Sequence, residues 1–273
     1  MDCAVTRDDV VVVSHNPRLS PDLTRAPDGK WLSQTGPRIR EITYKELQRY
    51  DVGRLNPASD YAKRWPEQRA ADGSRIPRLT DVFALVRKAG NNSVRFNIET
   101  KVSPLAPDET AAPEEFARLL VAEVAGAGLS ARTTIQSFDW RTLQWVQLHA
   151  SEIPTVYLTE VSDSMDNVEA EKPVSAWTGG RQLREYDGSV PRLVNASGGA
   201  VWSPFYGNLT REALREAHAL NLKIVAWTVN EPGDMRRLIE WGVDGIISDR
   251  PDILRRVAGE MNVPLPPTTP VAP

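Results

Sequence analysis

Two side chains in the stretch "VRFNIETK" raise the question of chemistry first. Glu99 and Lys101 stand two residues apart in an apolar run, so on a strand they leave the backbone on the same side. A carboxylate directed inward at the end of such a strand is costly unless a cation or a substrate uses it; the plain alternative is an ordinary ion pair between the two. His15 follows "VVVVS" and precedes Asn16 and Pro17, a strand-end position suited to general acid/base work near neutral pH. "TTIQSFD" places Gln136 and Phe138 on one face of another strand end. "VWSPFY" adds Trp202, Phe205 and Tyr206, and "VAWTVN" adds Trp227 and Asn230. Tryptophans beside polar residues either wall off the apolar part of a substrate or belong to the core. Asp249 in "IISDRPD" reads as the N-cap of the last helix. His149 and His218, the other two histidines, fall within helical patterns and read as surface or packing residues.

The elements that must position these residues alternate in type. Short β-branched runs at 10–14, 94–98, 133–138, 153–159, 200–205, 223–229 and 245–248 predict strands. Between the later ones lie amphipathic patterns with acidic or proline starts and glycine stops. "PEEFARLLVAEVAGAG", "DWRTLQWVQLHA", "LTREALREAHAL", "EPGDMRRLIEWG" and "RPDILRRVAG" are of this kind. Strand–helix alternation at this spacing predicts βαβ units, a parallel sheet and an α/β TIM (β/α)8-type barrel, for which 273 residues is a suitable length. In that architecture the chemistry sits at the carboxyl ends of the strands, where the residues above fall. The expected organisation is one barrel domain over 1–260, a long Pro- and Arg-rich insertion at about 17–76 after an early strand, and a Pro-rich disordered tail at 261–273. In the insertion only "ITYKELQRY" looks helical; a second irregular stretch is expected at 161–199.

Composition narrows the function. With 41% hydrophobic and 25% charged residues the chain is an ordinary globular one. Its formal charge of −3 argues against nucleic acid or an anionic membrane as the main partner. No window predicts a transmembrane helix. One cysteine, Cys3, rules out an internal disulfide and a cysteine metal cage.

Taken in order, "DCAVTRDDVVVVSHNPRL", "VRFNIETK", "TIQSFD", "AWTVN" and "GVDGIISDRPD" resemble the glycerophosphodiester phosphodiesterases from residue 1 to about residue 257. The resemblance implies a TIM barrel that hydrolyses glycerophosphodiesters to glycerol 3-phosphate and an alcohol, using a divalent cation, Ca²⁺ or Mg²⁺. It assigns Asp2 and Glu99 to the metal, Lys101 to the same strand motif, and His15 to proton transfer. Trp227 is matched to the pocket tryptophan, and Gln136, Trp202 and Phe205 join it as candidate substrate contacts. The family's histidine is normally followed by Asp, where this chain has Asn16.

The resemblance also implies a first strand ending in His-Arg-Gly, with a second acid/base histidine and a phosphate-gripping arginine. The sequence contains no such motif, so Asp2 is expected on the second strand of an incomplete barrel. A missing general acid or base costs about 10²–10⁴-fold, so weak activity or none is expected of this chain, and two sheet edges should be exposed. A non-catalytic phosphodiester-binding barrel and a phospholipase D-like lipid phosphodiesterase are the alternatives. The small-molecule substrate is the expected partner, oligomeric state and head group stay open, and relatives with such an insertion point to a periplasmic or secreted setting, with the cytoplasm as the alternative.

Overall fold

The computed structural model describes residues 1–172 and 174–271. The fold is α/β, and the chain divides into two compact units, Met1–Arg132 and Thr133–Pro273. Among the described residues, no helix is long and apolar enough to cross a membrane.

In the first unit β1 (Asp2–Val5) pairs with β2 (Val11–Val13) in a hairpin, Cys3 opposite Val13 and Val5 opposite Val11. This antiparallel pair departs from the all-parallel expectation, because residues 6–10 are too few for a crossover. Asp9 turns the chain in the left-handed region at φ 60°. On its other side β1 runs parallel to β3 (Phe96–Thr100), placing Asp2 opposite Glu99 and Cys3 opposite Thr100.

Between β2 and β3 come α1 (Tyr44–Leu47), α2 (Asp60–Lys63) and α3 (Leu79–Lys88); α4 (Pro113–Gly126) follows β3. Thr43 caps α1 in a reciprocal box: its hydroxyl accepts from Glu46 N, and Glu46 accepts from Thr43 N at 2.7 Å. Pro113 opens α4 with Glu114 and Glu115 in its first turn, a favourable placement of acid against the helix dipole.

Residues 17–76 do not lie loosely over the sheet. Leu19, Ile39, Leu47 and Ile76 form a buried cluster with Ala4 of β1 and Val12 of β2. Ala4 follows Asp2 by two residues, so this second core grows on the face that carries the candidate metal ligand. Ion pairs tie the segment down further: Arg18 grips Glu109 at 2.8 Å, and Arg40 reaches Glu115 at 3.0 Å and Asp9 at 2.7 Å.

The second unit is a parallel sheet in sequence order: β4 (Thr133–Ser137), β5 (Thr155–Thr159), β6 (Val201–Pro204), β7 (Lys223–Ala226) and β8 (Gly245–Ile246). Its helices are α5 (Trp140–His149), α6 (Val190–Ala196), α7 (Arg211–Ala219), α8 (Pro232–Trp241) and α9 (Pro251–Glu260). Short α6 lies inside the stretch expected to be irregular; Pro191 in its first turn and the Ser189 cap are local signals, but seven residues are too few for a periodic pattern.

The strands end earlier than their apolar runs suggested, β7 at Ala226 and β8 at Ile246. Asp249 does not cap α9. The cap position is Arg250, and Asp249 instead accepts a hydrogen bond from Asn230 Nδ2 at 3.0 Å. Residues 263–271 carry no helix or strand, and residues 272 and 273 of the expected tail lie outside the described residues.

Candidate active site

In the first unit the period-two alternation of β3 divides its side chains cleanly. Phe96, Ile98 and Thr100 are buried on one side, where Phe96 meets Phe83 of α3 edge-on at 5.1 Å between ring centroids. Glu99 and Lys101 leave by the other side. Register brings Asp2 of β1 beside Glu99 on that same face. Backbone bonds continue this pairing, with Glu99 N donating to Met1 O at 2.9 Å and Ser14 N, just after β2, donating to Asp2 O at 2.9 Å. His15 therefore follows immediately on a residue hydrogen-bonded to Asp2, so the hairpin brings the expected proton-transfer group and the expected metal ligand to one end of β1.

The charges here are crowded. Glu99 is only 4% exposed, and Lys101 Nζ lies 2.8 Å from its Oε1. Burial pushes the Glu99 carboxyl up to about 7; the Lys101 ammonium opposes the rise, and the Asp2 carboxylate, hydrogen-bonded to Glu99, adds to it. Two carboxyls sharing a site resist carrying two charges unless a cation joins them. Both are hard oxygen donors, so the pair suits a hard divalent cation whose remaining positions go to water and substrate oxygens. Among the described residues no group of three or more His, Cys, Asp or Glu side chains is gathered as a metal cage. The residues present fit a partly open cation site rather than a closed structural one.

His15 is exposed, and its Nδ1 lies 2.9 Å from Asn16 Oδ1. His149 and His218 belong to the other unit. His149 stacks on Trp145 at 4.3 Å, and His218 contacts Asp244 at 3.0 Å, which agrees with their reading as surface residues.

In the second unit the strand register sorts the remaining candidates. Gln136 is opposite Val156, Val156 is opposite Val201, and Phe205 bridges Trp227, so Gln136, Phe138, Phe205 and Trp227 share one face of the sheet. There Phe138 meets Trp227 edge-on at 5.3 Å, Phe205 lies 5.6 Å from Trp227, and Trp227 donates its indole N–H to Ser203 O at 2.8 Å. The three rings are half-buried at the carboxyl ends of β4, β6 and β7. Gln136 is buried on the same face.

Trp202 is not part of this wall. It pairs in register with Tyr157 and Ile224, on the opposite face, where Tyr157 meets Trp140 of α5. It is 3% exposed, donates to Thr159 Oγ1 at 2.9 Å, and backs a cavity of about 730 Å³ reached from the starts of α6 and α7. The expectation that Trp202 contacts substrate is corrected on this ground: an offset of three residues from Phe205 reverses its face.

Sequence reading missed the Arg18–Glu109 and Arg40–Glu115 pairs, which join residues 91 and 75 positions apart. No local pattern announces them. It also recorded Asn16 only as a substitution, although adjacency to His15 was a signal that a contact was within reach.

Comparison with known proteins bears on the whole chain. Residues 1–253 match the glycerophosphoryl diester phosphodiesterase family. A glycerophosphodiester phosphodiesterase of Bacillus subtilis is 26% identical over 263 residues, covering 94% of this chain and 75% of that protein. One from Caldanaerobacter subterraneus subsp. tengcongensis is 25% identical over 255 residues, covering 93% and 82%. Among solved structures, a putative glycerophosphoryl diester phosphodiesterase from Silicibacter pomeroyi superposes with a TM-score of 0.83 at 33% identity, over 96% of this chain and 83% of that one. An Oleispira antarctica phosphodiesterase in complex with the product sn-glycerol-3-phosphate shares the fold at a TM-score of 0.64 and 18% identity, over 94% and 83%. A match that runs almost the length of the sequence, joined to a relative one-third identical over nearly all of it, settles the ancestry: the chain belongs to the glycerophosphoryl diester phosphodiesterase family.

Proposed function

We propose that the protein hydrolyses glycerophosphodiesters to sn-glycerol 3-phosphate and an alcohol at the end of β1 where Asp2 is paired with Glu99 and followed across the hairpin by His15, with Lys101 beside Glu99. The observation that carries this reading is the Asp2–Glu99 carboxyl pair, set side by side by strand register, with the Glu99 carboxyl buried and pressed up to about 7. Asp2 and Glu99 would hold Ca²⁺ or Mg²⁺, which when bound neutralises phosphate oxygens and lets a nucleophile approach an anionic diester. Lys101, 2.8 Å from Glu99, keeps positive charge at the site and offers a donor to a phosphate oxygen. His15 takes or returns a proton at its exposed ring nitrogen. Family membership, and the product named with the Oleispira antarctica structure, support this substrate class.

The finer expectations belong to the same proposal. One continuous domain over 1–260 on a barrel scaffold is supported by the family match across 1–253. Phe205, Trp227 and Gln136 are proposed to contact substrate, supported by their shared face and the half-buried aromatic wall. Turnover is proposed to be slow, because His15 is the one histidine placed for proton transfer while His149 and His218 are engaged elsewhere. A periplasmic or secreted setting is proposed on the resemblance alone.

The test is release of sn-glycerol 3-phosphate from glycerophosphocholine by the chelator-treated protein, with and without added Ca²⁺ or Mg²⁺. Turnover that needs the cation and falls about 10²-fold or more in both Glu99→Gln and His15→Ala supports the assignment. Cation-independent turnover, or turnover indifferent to both changes, overturns it.

A further inference from the structure

The backbone around His15 is held on both sides. Ser14 N donates to Asp2 O at 2.9 Å, and Ile39 N donates to Pro17 O at 2.8 Å. Ser14 Oγ also donates to Asn16 O at 3.0 Å, closing the turn between them. With the main chain so anchored, the freedoms left to His15 are rotation of its ring and the choice of which nitrogen carries the proton. The ring contact at this turn is with Asn16 Oδ1, 2.9 Å from Nδ1.

An amide oxygen only accepts. The imidazole nitrogen facing it must therefore be the one bearing hydrogen, and in the neutral ring that leaves the lone pair on Nε2. An unconstrained histidine side chain favours the opposite tautomer, with hydrogen on Nε2, in which the outward nitrogen is no base. We infer that Asn16 is a positioning residue: it holds His15 in the Nδ1–H tautomer and presents Nε2 as the atom that takes the proton.

The contact survives the full proton cycle, because the imidazolium also donates from Nδ1. An uncharged acceptor does this without adding a carboxylate at the end of β1 that already carries Asp2 and, by register, Glu99. Orientation and charge are thereby separated: Asn16 supplies the first and withholds the second. The inference rests on the reading of His15 as the proton-transfer group, but the tautomer itself is observable without turnover.

The experiment is nitrogen NMR of the [15N]histidine-labelled protein in mildly alkaline buffer. The chain has three histidines, and His15→Gln identifies the signals of His15. The expected result is a protonated Nδ1 and a bare Nε2 for His15. In Asn16→Ala these signals should move toward the Nε2–H form, and kcat should fall about tenfold with KM within about twofold. Asn16→Asp, which keeps an acceptor in place, should retain the wild-type tautomer. A His15 tautomer unchanged in Asn16→Ala, or an Nε2–H form in the wild type, overturns the inference. Failure of the hydrolase reading shows differently, as turnover indifferent to His15→Ala while the tautomer still follows Asn16.

Discussion

Removing the Glu99 charge should reverse the usual effect of a carboxylate on stability. In the unfolded chain this glutamate ionises at its ordinary value of 4.5, whereas in the fold burial holds it up to about 7. Between those values the native state binds more protons than the unfolded state, so stability is fully present below about 4.5 and declines as pH rises through about 7. At about 1.4 kcal/mol per pH unit, the interval corresponds to about 3 kcal/mol. Glu99→Gln keeps the shape of the side chain and cannot ionise. In chelator-treated protein, the stability of wild type relative to Glu99→Gln should therefore fall by about 3 kcal/mol between pH 4.5 and pH 7.5.

Denaturant titration followed by the fluorescence of the eight tryptophans measures this at each pH. The difference between the two proteins isolates Glu99 from other titrating groups, with Asp2 and Glu99 treated as one coupled pair. Ca²⁺ at pH 7.5 should restore wild type and leave Glu99→Gln unaffected, because the cation takes the place of the shared proton. Parallel stability curves for the two proteins across the whole pH range would refute the reasoning.

The two tryptophans should part company. Trp202→Phe loses the hydrogen bond to Thr159 and some packing, and should cost about 1–3 kcal/mol in denaturation while leaving KM within about twofold. Trp227→Ala should raise KM for glycerophosphocholine about tenfold; a KM effect from Trp202 and none from Trp227 would invert the assignment of faces. Gly53 should tolerate no side chain, because a Cβ there would come 1.9 Å from Ala71 O, a backbone atom that cannot swing away. Gly53→Ala is expected to cost about 2 kcal/mol, whereas Gly233→Ala, which meets nothing within 4 Å, should leave the melting temperature unchanged or slightly higher; equal melting temperatures for both variants would contradict this.

Much of this protein is legible in one dimension. Alternation along "FNIET" already placed Glu99 opposite in face to Phe96 and Ile98, because a strand repeats every two residues whatever surrounds it. Proline starts and glycine stops marked α4 and α8 for the same local reason: φ near −65° opens a helix, and Gly242 at φ 85° closes one. The order of motifs pointed to the family before any contact was known.

What tertiary structure alone decided is the pairing of distant segments. The resemblance had already assigned Asp2 and Glu99 to one metal, but only the β1–β3 register shows them side by side, with the Glu99 carboxyl held near 7. The face of Trp202 needed the same information, since a strand shows which residues alternate but not which side the helices cover. The long Pro- and Arg-rich segment acquires its core only when Leu19, Ile39, Leu47 and Ile76 close on Ala4 and Val12. Local propensity acts over a few residues, whereas burial and charge crowding depend on neighbours in space, and those exist only once the chain has folded.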